Sequence, residues 1–363
     1  MKLRPFKLER YFAKYEFSTR YLLCSSDPES MSLGELLALE ANAAARLHAL
    51  WLGYTETAGA PTLRAAIAAL YERTPAERVL VHAGGEEPIF TFMNTALSAG
   101  DHVVVQFPAY ASLIEIARAI GAEVSPWPAP FDPDDLARLV GARTRAIVIN
   151  SPHNPTGALL SSTALEAIVA IARRHGLWLL SDEVYRGLEH DPAERAPAAC
   201  DLYERAVSIG AMAKVYGLAG LRIGWAAIPD AAQFEQMAAC KDYLTICNPA
   251  PSEFLAELAL RHHERLAARA RAIVLRNLDL LDGFFARQAT RFQWTRPRAG
   301  TVAFPALCAG SAEAFCAEVV QRSGVLLLPS TVYDAGDRNF RIGFGRANLP
   351  AALAALEQHL QAS

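Results

Sequence analysis

Between residues 79 and 228, short apolar runs alternate with longer segments whose apolar positions recur at helical intervals. The runs at 79–83, 101–106, 123–126, 145–150, 177–181, 205–210 and 223–228 predict strands. The segments at 84–98, 110–120 and 161–175 predict helices. Strands separated by helices of this length imply βαβ crossovers, hence an α/β fold with a mostly parallel sheet covered on both faces. Upstream, residues 30–50 predict one helix, with Leu33, Leu36, Leu37, Leu47 and Leu50 at helical spacing. Pro61 opens another, to about residue 71. Residues 1–28 are aromatic and basic with little periodicity, so Tyr11, Phe12, Tyr15 and Phe17 read as packing residues. Residues 230–290 predict long helices broken near Pro249 and Pro251. Beyond them, strands at 292–295, 301–305, 325–328 and 340–344 alternate with helices at 312–323 and from 350, a smaller α+β unit. The expected division is a large domain over 29–245 and a small domain made of 1–28 with 246–363.

Sites in such sheets lie beyond the carboxyl ends of the strands. Here Gly85 and Glu86, Tyr110, the run from Asn150 to Gly157, Asp182 and Tyr185, and Lys214 each follow a predicted strand. The run from Ser208 to Trp225 is the most informative. Lys214 lies among small and apolar residues, where a cation is costly; its pKa should fall, and a neutral amine attacks aldehydes. Arg222 offers a planar fork suited to phosphate. Free N–H groups after Gly85 could receive the same anion. A nucleophilic amine beside a phosphate-binding arginine points to pyridoxal phosphate (PLP) held as a Schiff base. That stretch alone leaves open a buried, paired lysine in a glycine-rich loop. Asp182 alone is more often a helix cap, and Arg341 alone a surface arginine.

Composition narrows the classes. The formal net charge of −3 at pH 7 predicts no strong attraction to nucleic acid or an anionic membrane. No apolar run reaches the ~18–20 residues of a spanning helix. The N-terminus carries charge where a signal peptide needs its apolar segment, so a cytoplasmic protein is expected. Cysteines 24, 200, 240, 247, 308 and 316 are scattered, which indicates neither zinc nor a disulfide framework.

Four motifs occur in order: Asn150-Ser-Pro-His-Asn154-Pro-Thr-Gly157, Asp182-Glu-Val-Tyr185, Lys214 to Trp225 with its glycines and Arg222, and Asn339-Phe-Arg341-Ile-Gly-Phe344. Together they resemble the class I/II aminotransferases, PLP enzymes of the aspartate aminotransferase fold, over essentially the whole chain. Cys24-Ser-Ser, Lys241-Asp-Tyr-Leu-Thr245 and the run from Arg298 to Pro305 are also similar to capreomycidine synthase-like enzymes of that family, which cyclise a hydroxylated arginine.

The resemblance implies a role for each residue. Lys214 is the Schiff-base lysine and the base at the substrate α-carbon. Asp182 pairs with the pyridinium nitrogen. Tyr185 and Asn154 meet the ring's phenolic oxygen, and Tyr110 stacks on the ring. Gly85, Glu86 and Arg222 hold the phosphate. Tyr54 reaches the phosphate in a neighbouring subunit, which implies a homodimer with shared sites. Arg341, beside Asn154, binds the substrate carboxylate. Amino acids and 2-oxo acids are the implied substrates. One departure stands out: Ala211 and Ala213 occupy positions where the family carries hydroxyl residues. One phosphate hydrogen bond is therefore missing, with Ser208 or another loop a candidate to compensate. A cyclase or lyase on an arginine-like substrate is the second reading, and an acid near the site to meet a guanidinium would support it; Glu16, Asp27 and Glu29 are candidates. A non-catalytic PLP-binding protein is the third.

Overall fold

The computed structural model describes residues 2–362. Its centre is a seven-stranded sheet in the order Val79–His82, Gly224–Ala227, Ala206–Ala211, Trp178–Asp182, Thr144–Asn150, His102–Phe107, Glu123–Pro128. Only Gly224–Ala227 pairs antiparallel with its neighbours; the remaining pairings are parallel, as the alternation of strands and helices implies. The central strands are buried on both faces, which explains their unbroken apolar runs. One face packs on the helices Glu86–Ala96, Ser112–Ile120 and Ala231–Lys241. Opposite, Val104, Ile147 and Leu179 meet Ile168 and Ala172 of the helix Ser162–His175.

A second core gathers around the helix His263–Arg287, the helices Ala312–Ser323 and Leu349–Ala362, and the strands Val325–Leu326 and Phe340–Gly343. The N-terminal segment joins this core, because Tyr21–Leu22 pairs in parallel with Val325–Leu326. The helix Ala250–Arg261 instead packs beside Leu63, Ile67, Val79 and Val81.

Two local expectations are corrected. Residues 7–15 form a helix, and its buried Leu8 with Tyr11, Phe12 and Tyr15 follows an i, i+3, i+4, i+7 spacing. The single helix expected over 30–50 is two short ones, Leu33–Leu37 and Ala43–His48. Ser32 and Glu35 close a capping box at the first, and Asn42 takes a left-handed φ of 67° before the second.

Candidate active site

A cavity of about 360 Å³ opens beyond the carboxyl ends of the parallel strands, between the sheet and the second core. Gly85, Glu86, Tyr110, Asn154, Asp182, Tyr185, Lys214, Arg222 and Arg341 all line it. Asn150 and Asp182 end neighbouring strands in register. Lys214 follows the adjacent strand Ala206–Ala211.

Lys214 faces the cavity but lies deep in the body, and burial lowers its pKa to about 8, with Asp27 opposing and Arg341 reinforcing the shift. Its Nζ donates to Ser26 Oγ at 2.8 Å. Asp182 is buried, and that burial raises its carboxyl pKa to about 7 despite a hydrogen bond from the Val184 N–H. Among the described residues no cation forms an ion pair with it, so the carboxylate lacks the positive partner a ring nitrogen would supply.

Arg341 is only 1% exposed. Its Nε donates to Cys24 O at 3.0 Å, and its Nη1 to Asn154 Oδ1 at 3.2 Å and Tyr333 Oη at 2.8 Å. All three acceptors are neutral, which leaves a buried guanidinium without a counter-charge, suited to an incoming carboxylate.

At the opposite end, Gly85 caps the helix Glu86–Ala96 with no side-chain hydrogen bond, so its first-turn N–H groups are open to an anion. The Glu86 carboxyl turns to Ser112 Oγ, and burial raises its pKa. Arg222 lies against this turn: a Cβ on Gly84 (φ +81°) would come within 2.5 Å of its Nη2. Gly224 packs as tightly, since a Cβ there would stand 2.4 Å from the Gly84 backbone. An anion cradle, an amine of lowered pKa and an unmatched buried carboxylate in one cavity fit PLP.

The remaining candidates lie as follows. Tyr54 is 86% exposed and outside this cavity. Ser208 cannot replace the missing hydroxyl, because it is fully buried between Glu183 Oε1 and the Cys200 N–H. Ala211 and Ala213 do line the cavity, so the loss is real at the site. Tyr185 Oη donates to Ser26 O at 3.3 Å, and burial pushes its pKa up to about 12. Of the three candidate acids, Glu16 and Asp27 line the cavity; Asp27 is paired with Arg346 at 2.9 Å. Glu29 does not line it and accepts from the Ala347 N–H. Ser26, part of the Cys24-Ser-Ser run singled out in the sequence, lines the cavity; Glu9, which no reading of the sequence singled out, lines it as well. The helical spacing of Leu8, Tyr11, Phe12 and Tyr15 was the available signal for Glu9. For Ser26 the signal was the Cys24-Ser-Ser run, which lies in an irregular segment.

Comparisons with known proteins agree with this geometry. The family model described as aminotransferase class I and II matches residues 21–356. The capreomycidine synthase of Streptomyces vinaceus is 32% identical over 365 residues, covering 97% of this chain and 93% of that protein. A PLP-dependent aminotransferase from Streptococcus suis 89-1591 superposes with a TM-score of 0.94 at 30% identity, over 100% of this chain and 99% of that one. The PLP-dependent cyclase OrfR, solved in complex with Au, superposes with a TM-score of 0.92 at 31% identity, over 100% and 98%. The fold is that of the PLP-dependent aminotransferases, and PLP is the cofactor of this family. The chain belongs to the class I and II aminotransferases.

Proposed function

We propose that this enzyme is a PLP-dependent aminotransferase that takes the amino group from an amino acid and gives it to a 2-oxo acid, with Lys214 as the reacting amine. The observation that carries this reading is a lowered-pKa lysine and an unpaired buried arginine facing one cavity. When bound, PLP supplies an electron sink for the pair of electrons left on the substrate α-carbon. Lys214 would hold its aldehyde, Asp182 its ring nitrogen, and Gly85, Glu86 and Arg222 its phosphate. Tyr110 would cover the ring, and Asn154 and Tyr185 would flank it. Arg341 orients the substrate by its carboxylate, which brings the α-carbon hydrogen toward Lys214 Nζ. Once the substrate's amino group has taken its place on the aldehyde, the freed Lys214 amine would take that proton and return it at a different atom, and a pKa near 8 suits both directions at neutral pH. We further propose a homodimer in which Tyr54 completes the partner's site. Trp51 (79% exposed), Tyr54 (86%) and Tyr243 (92%) support an apolar contact face. Among the described residues no helix is long and apolar enough to cross a membrane. We propose that the protein works in the cytoplasm, which suits its six unpaired cysteines.

A second reading, cyclisation or elimination on an arginine-like substrate, is favoured by the acids at the cavity: Glu9 and Glu16 form no ion pair among the described residues, and Asp27 faces the same space. The name of the Streptomyces vinaceus relative points the same way. One experiment separates the two. The loaded enzyme is incubated with one amino donor at a time, without acceptor, and the 2-oxo acid released is counted. Transamination yields about one equivalent per site. An arginine derivative consumed with no 2-oxo acid formed would select the second reading.

A further inference from the structure

One irregular segment of the N-terminal arm supplies a contact to each end of the reaction centre. Its Cys24 carbonyl accepts from Arg341 Nε at 3.0 Å, and its Ser26 Oγ accepts from Lys214 Nζ at 2.8 Å. The Ser26 carbonyl is pinned by Thr301 Oγ1 at 2.7 Å and by Tyr185 Oη at 3.3 Å. The flanking backbone is clamped as well, by the Gly343 N–H on Leu23 O and the Glu29 N–H on Gly345 O, both at 2.8 Å. Gly343 permits this approach, since a Cβ there would stand 1.9 Å from Ser25 O. The Ser26 hydroxyl is thus held against a fixed backbone.

The loop that carries Lys214 presents only methyl groups at Ala211 and Ala213. Among the described residues Ser26 is the one side chain hydrogen-bonded to Lys214 Nζ. We propose that Ser26 is a positioning residue for Lys214: it holds the free amine in place, and in its protonated form accepts a hydrogen bond from it, so that the nitrogen returns its proton from a fixed point. The inference rests on Lys214 being the reacting amine. Its physical content is a linkage: a hydroxyl that accepts from an ammonium favours the charged form, so its loss lowers the lysine pKa further.

The test uses the cofactor-free protein first. Trace labelling with acetic anhydride across pH, read by mass spectrometry on the Lys214 peptide, gives the midpoint of the amine. The wild-type midpoint is expected at about 8. Ser26→Ala lowers it by about one unit, the size expected for one charge-assisted hydrogen bond. Ser26→Thr, which keeps the hydroxyl, restores it. In the loaded enzyme Ser26→Ala lowers kcat about tenfold and leaves KM for the amino donor unchanged. A merely structural role would change the melting temperature and KM without moving the midpoint, and that result overturns the proposal. So does a Ser26→Ala midpoint equal to the wild type. If Ser26→Ala does not fold, Ser26→Cys, a weaker acceptor of similar size, carries the same readout. A wild-type midpoint near that of free lysine overturns the assignment of Lys214 itself, an outcome distinct from a low midpoint indifferent to Ser26.

Discussion

Arg341 Nη1 donates to Asn154 Oδ1 at 3.2 Å across 187 positions of sequence. The arginine assigned to the substrate carboxylate is therefore oriented by the asparagine assigned to the cofactor ring. Tyr333, beside Asn154, accepts from the same nitrogen at 2.8 Å. A guanidinium fixed at Nε and Nη1 has one direction left in which to present donors.

Replacing Arg341 by lysine removes the fork and both braces. kcat/KM for amino acid donors should fall about 100-fold or more, the loss typical of one partner of a buried charged pair. A donor that lacks the carboxylate should lose no more than about threefold, within the noise of a repacked site. Parallel kinetics with an amino acid and its decarboxylated amine check this. Equal losses on both substrates would place Arg341 outside carboxylate binding.

Asp182 makes the stability of the cofactor-free enzyme depend on pH in a defined direction. Its folded pKa, about 7, lies above the ordinary 3.8, so the folded state binds the proton more tightly than the unfolded chain. Asp182 thus weakens the fold progressively as pH rises from about 4 to about 7. The full effect is on the order of 4 kcal/mol at most. Cofactor-free Asp182→Asn should match the wild type near pH 4 and exceed its stability at pH 8, measured by denaturant unfolding at both values. With PLP bound the order should reverse at pH 8, because the wild type regains a cationic partner.

Gly343→Ala should be among the most damaging single-methyl changes in the chain. The added carbon would meet Ser25 O at 1.9 Å, and the segment carrying Ser26 would have to move. A loss of about 1–3 kcal/mol or more is expected from overpacking, with lower affinity for PLP. Gly220→Ala is the control: nothing lies within 4 Å of its Cβ position. Thermal melts of the two variants, with and without cofactor, should separate them clearly. Similar melting points for both would refute this packing argument.

The exposed ring of Tyr54 has no role inside its own chain's cavity. Sedimentation of the 39.4 kDa chain should give twice that mass. Trp51→Glu combined with Tyr243→Glu should yield monomers that lose PLP on dialysis. Monomers that retain full cofactor affinity would remove Tyr54 from the site.

The sheet and most of the cavity were readable in the sequence because they rest on local signals. Continuous apolar strands announce burial on both faces, and residues just past those strands must gather at one edge. Asp182, Asn154 and Lys214 follow from that rule. What escaped depended on contacts between distant segments. Ser26 meets Lys214 across 188 positions, and the Cys24-Ser-Ser run that marks its segment does not reveal that contact. Ser208 looked available to a ligand, yet Glu183 and Cys200 consume its hydroxyl. The helix at 30–50 failed for a local reason: its apolar spacing is interrupted at Asn42, whose left-handed φ no propensity sum detects. The helix Lys7–Tyr15 was hidden by its polar composition, although its apolar residues keep helical spacing.

The proposed mechanism needs Lys214 as the amine that carries the cofactor. Borohydride reduction of the PLP-loaded protein, followed by proteolysis and mass spectrometry, tests it directly. A pyridoxyl adduct is expected on the peptide containing Lys214 and none in Lys214→Ala. An adduct on Lys241, which is buried beside the large sheet, or an unmodified Lys214 peptide would exclude that role.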